Sequence, residues 1–313
     1  MSEIEKIAKQ VLAKGKGILA ADESTGTMTK RLSGVNVEST PESRLKFRET
    51  LFSAEGMKNY IGGVILYDET IKQKTSSGKT IPELIKSFES VPGIKVDSGA
   101  KKLAGSPEEK ITEGLDGLRE RLVEYYKLGA GFTKWRAVYN ISDKFPSELA
   151  IKSNAHALAR YASLVQEAKM VPIVEPEVLM DGEHNIKKCY EVTSVVLKEC
   201  YKMLKLHKVN LRGTILKPNM ILPGNKSQDK SNTQEIAKMT LKCLKENVPS
   251  EVPGIAFLSG GQTEVEATEN LNEINKINDT SFAMSFSYGR ALQQSALKNW
   301  AKNIDDITKT QEI

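Results

Sequence analysis

Lys217 is the residue whose position most clearly indicates chemistry. It ends the apolar run in the string GTILKPNM and is followed directly by Pro218. An amine in apolar surroundings loses hydration of its charged form, so its pKa falls and a neutral nucleophile that attacks carbonyls becomes available near neutral pH. Proline favours an extended conformation at the residue before it, which predicts that Lys217 lies where a strand gives way to a loop. The alternative is a lysine that extends its ammonium group from an edge strand into water.

Two further strings carry cations and carboxylates at a spacing of two. Lys134 and Arg136 lie in FTKWRAVY, and Glu175 and Glu177 lie in VPIVEPEVL. Residues two apart on a strand point to the same side, so one surface would carry two cations and two carboxylates. A carboxylate beside an amine can relay the protons that convert a carbinolamine into an imine. These cations and carboxylates are therefore suited to Schiff-base chemistry. The alternative is that they form a lattice of salt bridges with a purely structural role.

Glycine-rich turns late in the chain indicate an anion site. LSGG and SYGR each follow an apolar run, and they contain Gly260, Gly261, Gly289 and Arg290. Backbone N–H groups at such turns and at a following helix N-terminus bind phosphate, and an arginine adds charge-assisted hydrogen bonds. We therefore expect a phosphorylated substrate.

A second anion site is indicated near the start of the chain. The string ADESTGTMTKR supplies hydroxyl groups at Ser24 and Thr27 and cations at Lys30 and Arg31, and GIKVD supplies Lys95. Two anion sites beside a reactive lysine indicate a bisphosphate. For Ser24 and Thr27, N-capping of a helix is the alternative interpretation.

The elements that must position these residues recur eight times. Apolar, β-prone runs alternate with polar segments of helical periodicity, and the runs are GILAAD, IGGVILYDE, GIKVD, FTKWRAVY, VPIVEPEVL, GTILKPNMI, GIAFLSGG and AMSFSYGR. Helical periodicity is clearest over residues 146–169 and 185–207. Eight strand and helix units in alternation close into a parallel (β/α)₈ barrel. The sequence therefore predicts an α/β fold, a single TIM-barrel domain over residues 1–313 with a short helix before the first strand.

Charged residues collect near the C-terminal ends of these runs. They are Asp22, Asp68, Lys95, Lys134, Arg136, Glu175, Glu177, Lys217 and Arg290. In a TIM barrel those ends open onto one face, where the active site is built from strand tips and loops. We therefore expect these residues to converge in space.

Composition excludes several classes of protein. The 39% hydrophobic and 27% charged residues are typical of a soluble globular protein. The net charge of +5 is spread without a long basic run, which favours a small anionic ligand over nucleic acid. Cys189, Cys200 and Cys243 lack the spacing of metal ligands, so no metal site is expected. Neither a signal core nor a bilayer-spanning stretch is present, and we expect a cytoplasmic location.

The chain resembles the class I fructose-bisphosphate aldolases. The strings that carry the resemblance run in order from Gly15 to Trp300: GKGILAADESTG, GGVIL, PGIKVD, EGLDGL, KWR, ALARYAS, VPIVEPE, DGEH, GTILKPNM, FLSGGQ, NLNEIN and SFSYGRALQQSALKNW. The resemblance implies reversible cleavage of fructose 1,6-bisphosphate to dihydroxyacetone phosphate and glyceraldehyde 3-phosphate, in glycolysis and gluconeogenesis. It also implies that Lys217 forms a Schiff base with the C2 ketone and that no metal or other cofactor is used.

The resemblance implies a role for each matching residue. Glu175 would be the acid and base of imine formation, with Glu177 adjusting its charge and Lys134 assisting. Asp22 would handle the proton of the C4 hydroxyl group during cleavage. The residues implied for the C1 phosphate are Ser259, Gly260, Gly289 and Arg290. Those implied for the C6 phosphate are Ser24, Thr27 and Lys95, with Arg31 nearby and Arg136 in the substrate site.

The sequence departs from the animal members of the family at its C-terminal end. Those members continue into a tail that ends in tyrosine and contributes to proton exchange on the enamine, whereas this sequence ends at Ile313 without a tyrosine after Trp300. We expect another residue or water to transfer this proton, with enamine protonation limiting turnover.

Several alternative functions are compatible with the sequence. An aldolase of the same mechanism could prefer fructose 1-phosphate or sedoheptulose 1,7-bisphosphate, and a non-catalytic barrel could bind a cytoskeletal or adhesin peptide. The resemblance also implies a homotetramer, and neither nucleic acid nor a membrane is expected as a partner.

Overall fold

The computed structural model describes residues 1–313, and its centre is a closed barrel. The strands are β1 (Gly17–Ala20), β2 (Ile61–Leu66), β3 (Val91–Lys95), β4 (Ala100–Leu103), β5 (Ser106–Thr112), β6 (Phe132–Tyr139), β7 (Val171–Val178), β8 (Ile215–Leu216), β9 (Gly254–Phe257) and β10 (Ala283–Tyr288). All except β4 and β5 form the barrel, in chain order and parallel, with β10 pairing back to β1. The predicted TIM barrel is confirmed, and each of the predicted apolar runs supplies one of its strands.

Helices surround the barrel and follow its strands in alternation. They are α1 (Glu3–Val11), α2 (Thr25–Ser33), α3 (Pro41–Phe52), α4 (Met57–Tyr60), α5 (Asp68–Ile71), α6 (Ile81–Ser87), α7 (Leu118–Lys127), α8 (Glu148–Glu167), α9 (Ile186–Leu206), α10 (Thr233–Asn247), α11 (Glu264–Ile277), α12 (Arg290–Trp300) and α13 (Ile307–Gln311). A 3₁₀ turn covers Leu211–Gly213. Helices α8 and α9 begin where predicted because Ser147 and Asn185 accept hydrogen bonds from the N–H groups of their first turns. None of the helices combines the length and apolarity that crossing a membrane requires.

The antiparallel hairpin of β4 and β5 has no counterpart among the predicted elements. Its residues are mostly polar and only three of them are buried, so they lack the apolar run that marks a barrel strand. Side chains fasten the hairpin beside the barrel mouth: Thr112 Oγ1 donates to the carbonyl of Arg136 at 2.7 Å, and Asn154 Nδ2 donates to the carbonyl of Lys110 at 2.8 Å. The hairpin therefore extends one wall of the open end of the barrel.

Helix α1 closes the N-terminal end of the barrel. Its buried Ala8 and Val11 belong to one apolar cluster with the interior strand residues Phe132 and Ile173. The Phe132 ring fits because Gly93 has no side chain, since a Cβ there would lie 2.3 Å from ring carbons. A larger apolar core fills the layer between the strands and the outer helices. With one end closed by apolar packing, polar residues collect at the C-terminal strand ends.

Candidate active site

A polar cleft of about 920 Å³ opens at the C-terminal ends of the barrel strands. This is the end at which TIM barrels build their sites from strand tips and the following loops. All of the residues predicted to act in catalysis or substrate binding line the cleft: Asp22, Ser24, Thr27, Arg31, Lys95, Lys134, Arg136, Glu175, Glu177, Lys217, Ser259, Gly260, Gly289 and Arg290. The fold thus gathers residues from distant parts of the chain into one volume.

Asp68 does not join them, and the expectation that it would converge with the others was wrong. Strand β2 ends at Leu66, so Asp68 falls in the first turn of α5 rather than on the strand. Its carboxylate accepts a hydrogen bond from Tyr125 at 2.8 Å and pairs with Lys72 at 2.9 Å. The side chain therefore links outer helices and lies outside the cleft.

Lys217 lies one residue past the short strand β8. Its backbone N–H continues the ladder by donating to the carbonyl of Val174 at 2.8 Å. Pro218 interrupts the ladder, and the side chain of Asn219 then accepts from the N–H of Val178 at 3.0 Å. Hydrogen bonds on both sides of Lys217 thus fix its backbone against β7, and its side chain lines the cleft.

The ammonium group of Lys217 is part of a buried chain of alternating charges. Lys217 Nζ lies 3.0 Å from Glu175 Oε1, and Lys134 Nζ lies 3.3 Å from Glu175 Oε2 and 2.7 Å from Asp22 Oδ2. Lys134, Glu175 and Lys217 are all buried. Lys217 thus lies among the cations and carboxylates predicted for this side of the barrel and not in wholly apolar surroundings, because β6 and β7 bring charged side chains against it.

Mutual compensation keeps Asp22, Glu175 and Lys134 charged. Burial opposes ionisation of Asp22, but Lys134 and Lys217 outweigh it and lower its pKa to about 2. Burial likewise opposes ionisation of Glu175, and Lys134, Lys217 and Arg136 together lower its pKa. Burial disfavours the charged form of Lys134, whereas Asp22 and Glu175 favour it and raise its pKa. Both carboxylates are thus ionised, and Lys134 stays cationic.

Arg136 and Glu177 form the outer part of the same strand pair. In the parallel register of β6 and β7, Arg136 lies opposite Glu175 and Val138 lies opposite Glu177. Arg136 Nε donates to Glu177 Oε2, and its side chain is 43% exposed. Burial acts against the charged guanidinium, but Glu177 and Glu175 raise the pKa of Arg136. Arg136 therefore places a permanent positive charge at the cleft mouth.

Asp97 is a cleft residue that the sequence interpretation missed. Its Oδ1 lies 2.7 Å from Lys95 Nζ, and its Oδ2 accepts from the backbone N–H of Arg136 at 3.2 Å. Lys95 Nζ also donates to the carbonyl of Asp97 at 3.0 Å. The spacing of two between Lys95 and Asp97 was the available signal, since it repeats the spacing of Lys134 and Arg136. The carboxylate holds the Lys95 side chain at the end of β3.

The loops after β9 and β10 present backbone groups to the cleft. Gly260 and Gly261 have φ values of 58° and 90°, in the left-handed region that favours glycine. Arg290 is the first residue of α12, so the N-terminus of that helix lies at the cleft beside Gly289. Ser287 on β10 was also missed: it is buried, lines the cleft and has a hydroxyl oxygen without a hydrogen-bond partner. A helix N-terminus, a glycine turn and an arginine together suit an anion.

Helix capping and a position at the cleft are compatible for Ser24 and Thr27. Ser24 Oγ accepts from the N–H of Thr27 at 3.4 Å and so caps α2, and both residues also line the cleft. Arg31, one turn further, donates to Glu23 and to Gln293 Oε1, the latter at 3.0 Å. Its Nε and Nη2 atoms are buried and have no hydrogen-bond partner. These N–H donors belong to a residue that lines the cleft on the same helix as Thr27.

The three cysteines lie away from this chemistry. All are buried and free. Burial raises the pKa of Cys189 and of Cys243 to about 11 and that of Cys200 to about 12. They are therefore protonated thiols at neutral pH. No group of three or more His, Cys, Asp or Glu side chains is arranged to hold a metal ion.

Comparison with known proteins places this geometry in a family. The family model described as "Glycolytic: Fructose-bisphosphate aldolase class-I" matches residues 3–313. A probable fructose-bisphosphate aldolase class 1 of Xanthomonas campestris pv. campestris is 50% identical over 314 residues, covering 100% of this chain and 94% of that protein. The cytosolic fructose-bisphosphate aldolase 4 of Arabidopsis thaliana is 52% identical over 299 residues, covering 95% of this chain and 76% of its own length.

A solved structure gives the same result. Fructose-bisphosphate aldolase from Plasmodium falciparum, in a ternary complex with TRAP and a small-molecule inhibitor, matches with a TM-score of 0.97 at 45% identity. The match covers 99% of this chain and 90% of that one. The resemblance carried by the sequence motifs is thereby confirmed. The chain belongs to the class I fructose-bisphosphate aldolase family and is a lyase.

Proposed function

We propose that the chain cleaves fructose 1,6-bisphosphate reversibly to dihydroxyacetone phosphate and glyceraldehyde 3-phosphate through an imine on Lys217. The observation that carries this proposal is the contact of 3.0 Å between Lys217 Nζ and Glu175 Oε1 in a buried site. A lysine must lose a proton before it can attack a ketone, and Glu175 is an ionised acceptor in direct contact with it. Membership of the aldolase family supplies the class of substrate.

Imine formation uses Glu175 twice. The carboxylate first takes a proton from the Lys217 ammonium group, and the neutral amine adds to C2 of the substrate. The resulting carbinolamine then receives that proton on its hydroxyl group, which leaves as water, so the iminium ion forms and Glu175 is ionised again. Glu175 Oε2 accepts no hydrogen bond, although it lies 3.3 Å from Lys134 Nζ. Glu175 Oε1, which contacts Lys217 Nζ at 3.0 Å, therefore exchanges the proton, while Lys134 beside Oε2 stabilises the charge of the carboxylate.

Carbon–carbon cleavage uses Asp22. Its carboxylate accepts the proton of the C4 hydroxyl group as the C3–C4 electron pair moves toward the protonated imine nitrogen. C4 becomes the aldehyde carbon of glyceraldehyde 3-phosphate, and the remaining three carbons are held as an enamine. Asp22 then releases its proton to water, and the enamine takes up a proton at C3 from water or another residue. Hydrolysis of the imine releases dihydroxyacetone phosphate and regenerates Lys217. The contact between Asp22 and Lys134 at 2.7 Å keeps this base ionised for the step.

Two groups of residues hold the phosphates in this proposal. The C1 phosphate would bind the turn Ser259–Gly261, Gly289 and Arg290, where a helix N-terminus meets the cleft. The C6 phosphate would bind Lys95, Ser24 and Thr27, with the unpartnered donors of Arg31 close by. This second group determines the preference for a bisphosphate over fructose 1-phosphate.

The wider setting is also part of the proposal. We take residues 1–313 as one aldolase domain that assembles as a homotetramer and acts in glycolysis and gluconeogenesis, without nucleic-acid or membrane partners. A cytoplasmic location is supported by the names of the Arabidopsis relatives, which are called cytosolic. Gel filtration with light scattering tests the assembly, and a mass of four subunits is expected.

Replacing the proposed nucleophile tests the reaction. Lys217→Met keeps an apolar stem of similar length but removes the amine, and we expect cleavage of fructose 1,6-bisphosphate to fall by at least about a thousandfold. The measurement is release of triose phosphate in the presence of EDTA. Lys205→Met on the exposed face of α9 is the matched control and should retain activity. A Lys217→Met variant with more than about a tenth of the activity would contradict the proposal.

A further inference from the structure

The turn Ser259–Gly261 is held in shape by the residue that follows it. Gln262 Nε2 donates to the carbonyl of Ser259 at 2.8 Å, and the backbone N–H of Gln262 donates to the same oxygen at 3.0 Å. Two consecutive glycines in the left-handed region lie between these residues. Because glycine has the largest backbone freedom of any residue, a turn of this kind keeps one conformation only when its ends are fixed. Gln262 follows one end of the turn and donates two hydrogen bonds to the carbonyl at the other end, which holds the two ends together.

The amide of Gln262 is oriented in turn by Asn270 of α11. Asn270 Nδ2 donates to Gln262 Oε1 at 2.7 Å, and Asn270 is 4% exposed. The carbonyl of Ser259 can only accept, so Gln262 must direct its NH₂ group toward it and its oxygen toward Asn270. Asn270 must therefore be the donor in the second contact. The hydrogen bonds therefore run in one direction, from Asn270 to Gln262 and from Gln262 to the carbonyl of Ser259.

This series ends at the cleft but does not enter it. Ser259, Gly260 and Gly261 line the cleft, whereas Gln262 and Asn270 are absent from its walls. The backbone N–H groups of Gly260 and Gly261 donate no hydrogen bond within the protein. Successive free N–H groups in such a turn form a concave site for an anion. Their directions depend on the conformation that Gln262 imposes.

We propose that Asn270 and Gln262 are positioning residues that hold the turn in its phosphate-binding conformation. The inference rests on the proposed function, in which this turn binds the C1 phosphate. An ordered turn binds phosphate without first losing conformational entropy, so the two side chains act on affinity. They do not touch the carbons that react. Their loss should therefore raise KM for every substrate with a C1 phosphate and leave kcat nearly unchanged.

Asn270→Asp tests the inference with almost no change of shape. A carboxylate cannot donate to Gln262 Oε1, so Gln262 would turn its NH₂ group toward Asp and face the carbonyl of Ser259 with its own oxygen. We expect KM to rise about tenfold for fructose 1,6-bisphosphate and for fructose 1-phosphate alike, equivalent to about 1.4 kcal/mol. Binding of inorganic phosphate, followed by calorimetry, should weaken by a similar factor, with kcat within about twofold of its original value.

Asn275→Asp is the matched control on the same helix. Asn275 Nδ2 donates to the carbonyls of Leu271 and Met284, at 3.0 and 3.3 Å, and does not contact the turn. This variant should lose thermal stability with KM unchanged. If Asn270→Asp does not fold, Gln262→Glu tests the same contact, because its carboxylate cannot donate to the carbonyl of Ser259.

The outcomes separate this inference from the proposed function. Equal KM values and equal phosphate affinity in Asn270→Asp and Asn275→Asp would overturn the positioning role, and so would a fall in kcat with KM unchanged. If the unmodified protein cleaves no sugar phosphate but Asn270→Asp still weakens phosphate binding, the proposed reaction fails while the positioning role stands.

Discussion

Lys217 Nζ and Glu175 Oε1 lie 3.0 Å apart, with side chains only 6% and 4% exposed. A buried ammonium and carboxylate in contact can exchange a proton without water, which produces the neutral amine that imine formation requires. The pair is flanked by Lys134, which also contacts Asp22. In the proposed mechanism the proton relay, Glu175, and the base of the cleavage step, Asp22, thus share the cation Lys134, so a change in one of these residues alters the charge balance of the others.

Glu175→Gln should slow imine formation. The amide keeps the shape of the side chain but cannot take the proton of Lys217 or return it to the carbinolamine. We expect kcat to fall by about 10²- to 10⁴-fold, the usual contribution of a general acid and base, with a small change in KM. Rapid-quench trapping of the imine measures the rate of this step. Glu235→Gln, at an exposed position of α10, is the control. A normal rate of imine formation in Glu175→Gln would assign the relay to another group.

Lys134→Met should move the acidic limb of the pH–rate profile upward. Lys134 contributes to the low pKa of both Asp22, about 2, and Glu175. Without this cation burial dominates, the pKa of each carboxyl group rises, and the ionised form required for catalysis is lost at higher pH. The measurement is kcat/KM from pH 4 to 9 in both proteins. An unchanged acidic limb would show that Lys134 does not control these carboxylates.

Asp22 should make stability depend on pH. Its pKa is depressed from 3.8 to about 2 in the folded protein, so its contribution is complete above pH 3.8 and is lost as pH falls toward 2. The full contribution is about 2 kcal/mol, of which about half should be lost between pH 6 and pH 3. Urea unfolding of the original protein and of Asp22→Asn at both pH values measures it. Equal pH dependence in the two proteins would contradict the shift.

Lys95→Ala should distinguish binding of the C6 phosphate from binding of the C1 phosphate. If Lys95 binds the C6 phosphate, its loss removes a charge-assisted hydrogen bond of about 1.5–3 kcal/mol, so kcat/KM for fructose 1,6-bisphosphate should fall by about ten- to a hundredfold. Fructose 1-phosphate lacks that phosphate and should react at nearly the original rate. Steady-state kinetics with both sugars measures the ratio. An equal loss for both would place Lys95 elsewhere in the reaction.

Gly93→Ala should destabilise the barrel interior. The new Cβ would lie 2.3 Å from carbons of the Phe132 ring, and overpacking of this kind costs about 1–3 kcal/mol. Thermal unfolding should show a lower Tm for this variant. Gly26→Ala is the control, because nothing lies within 4 Å of the position of its Cβ. A Tm equal to that of the control would show that the ring moves aside without cost.

The sequence predicted the barrel because its strands are buried on both faces and therefore appear as apolar runs. The hairpin of β4 and β5 was missed for the opposite reason, since two largely polar strands with few buried residues have no such run. Asp68 was placed wrongly because helix α5 begins directly after β2, so the side chain lies in the first turn of that helix and not at the cleft.

Site residues were predictable where charge interrupts an apolar strand, and this signal located Lys134, Glu175 and Lys217. The surroundings of Lys217 were not predictable from its own string, because its partner comes from β7. Asn270 and Gln262 are neutral and lie on a helix and in a loop, so no local pattern marks them. Their connection appears only when α11 packs behind the turn.

Borohydride trapping tests the central claim most directly. The protein is incubated with fructose 1,6-bisphosphate and EDTA, reduced with borohydride, digested and analysed by peptide mass spectrometry. The account predicts a reduced sugar-phosphate adduct on Lys217, absent without substrate and absent from Lys217→Met. Rapid cleavage by the folded protein with an adduct on a different lysine, or with none, would contradict it.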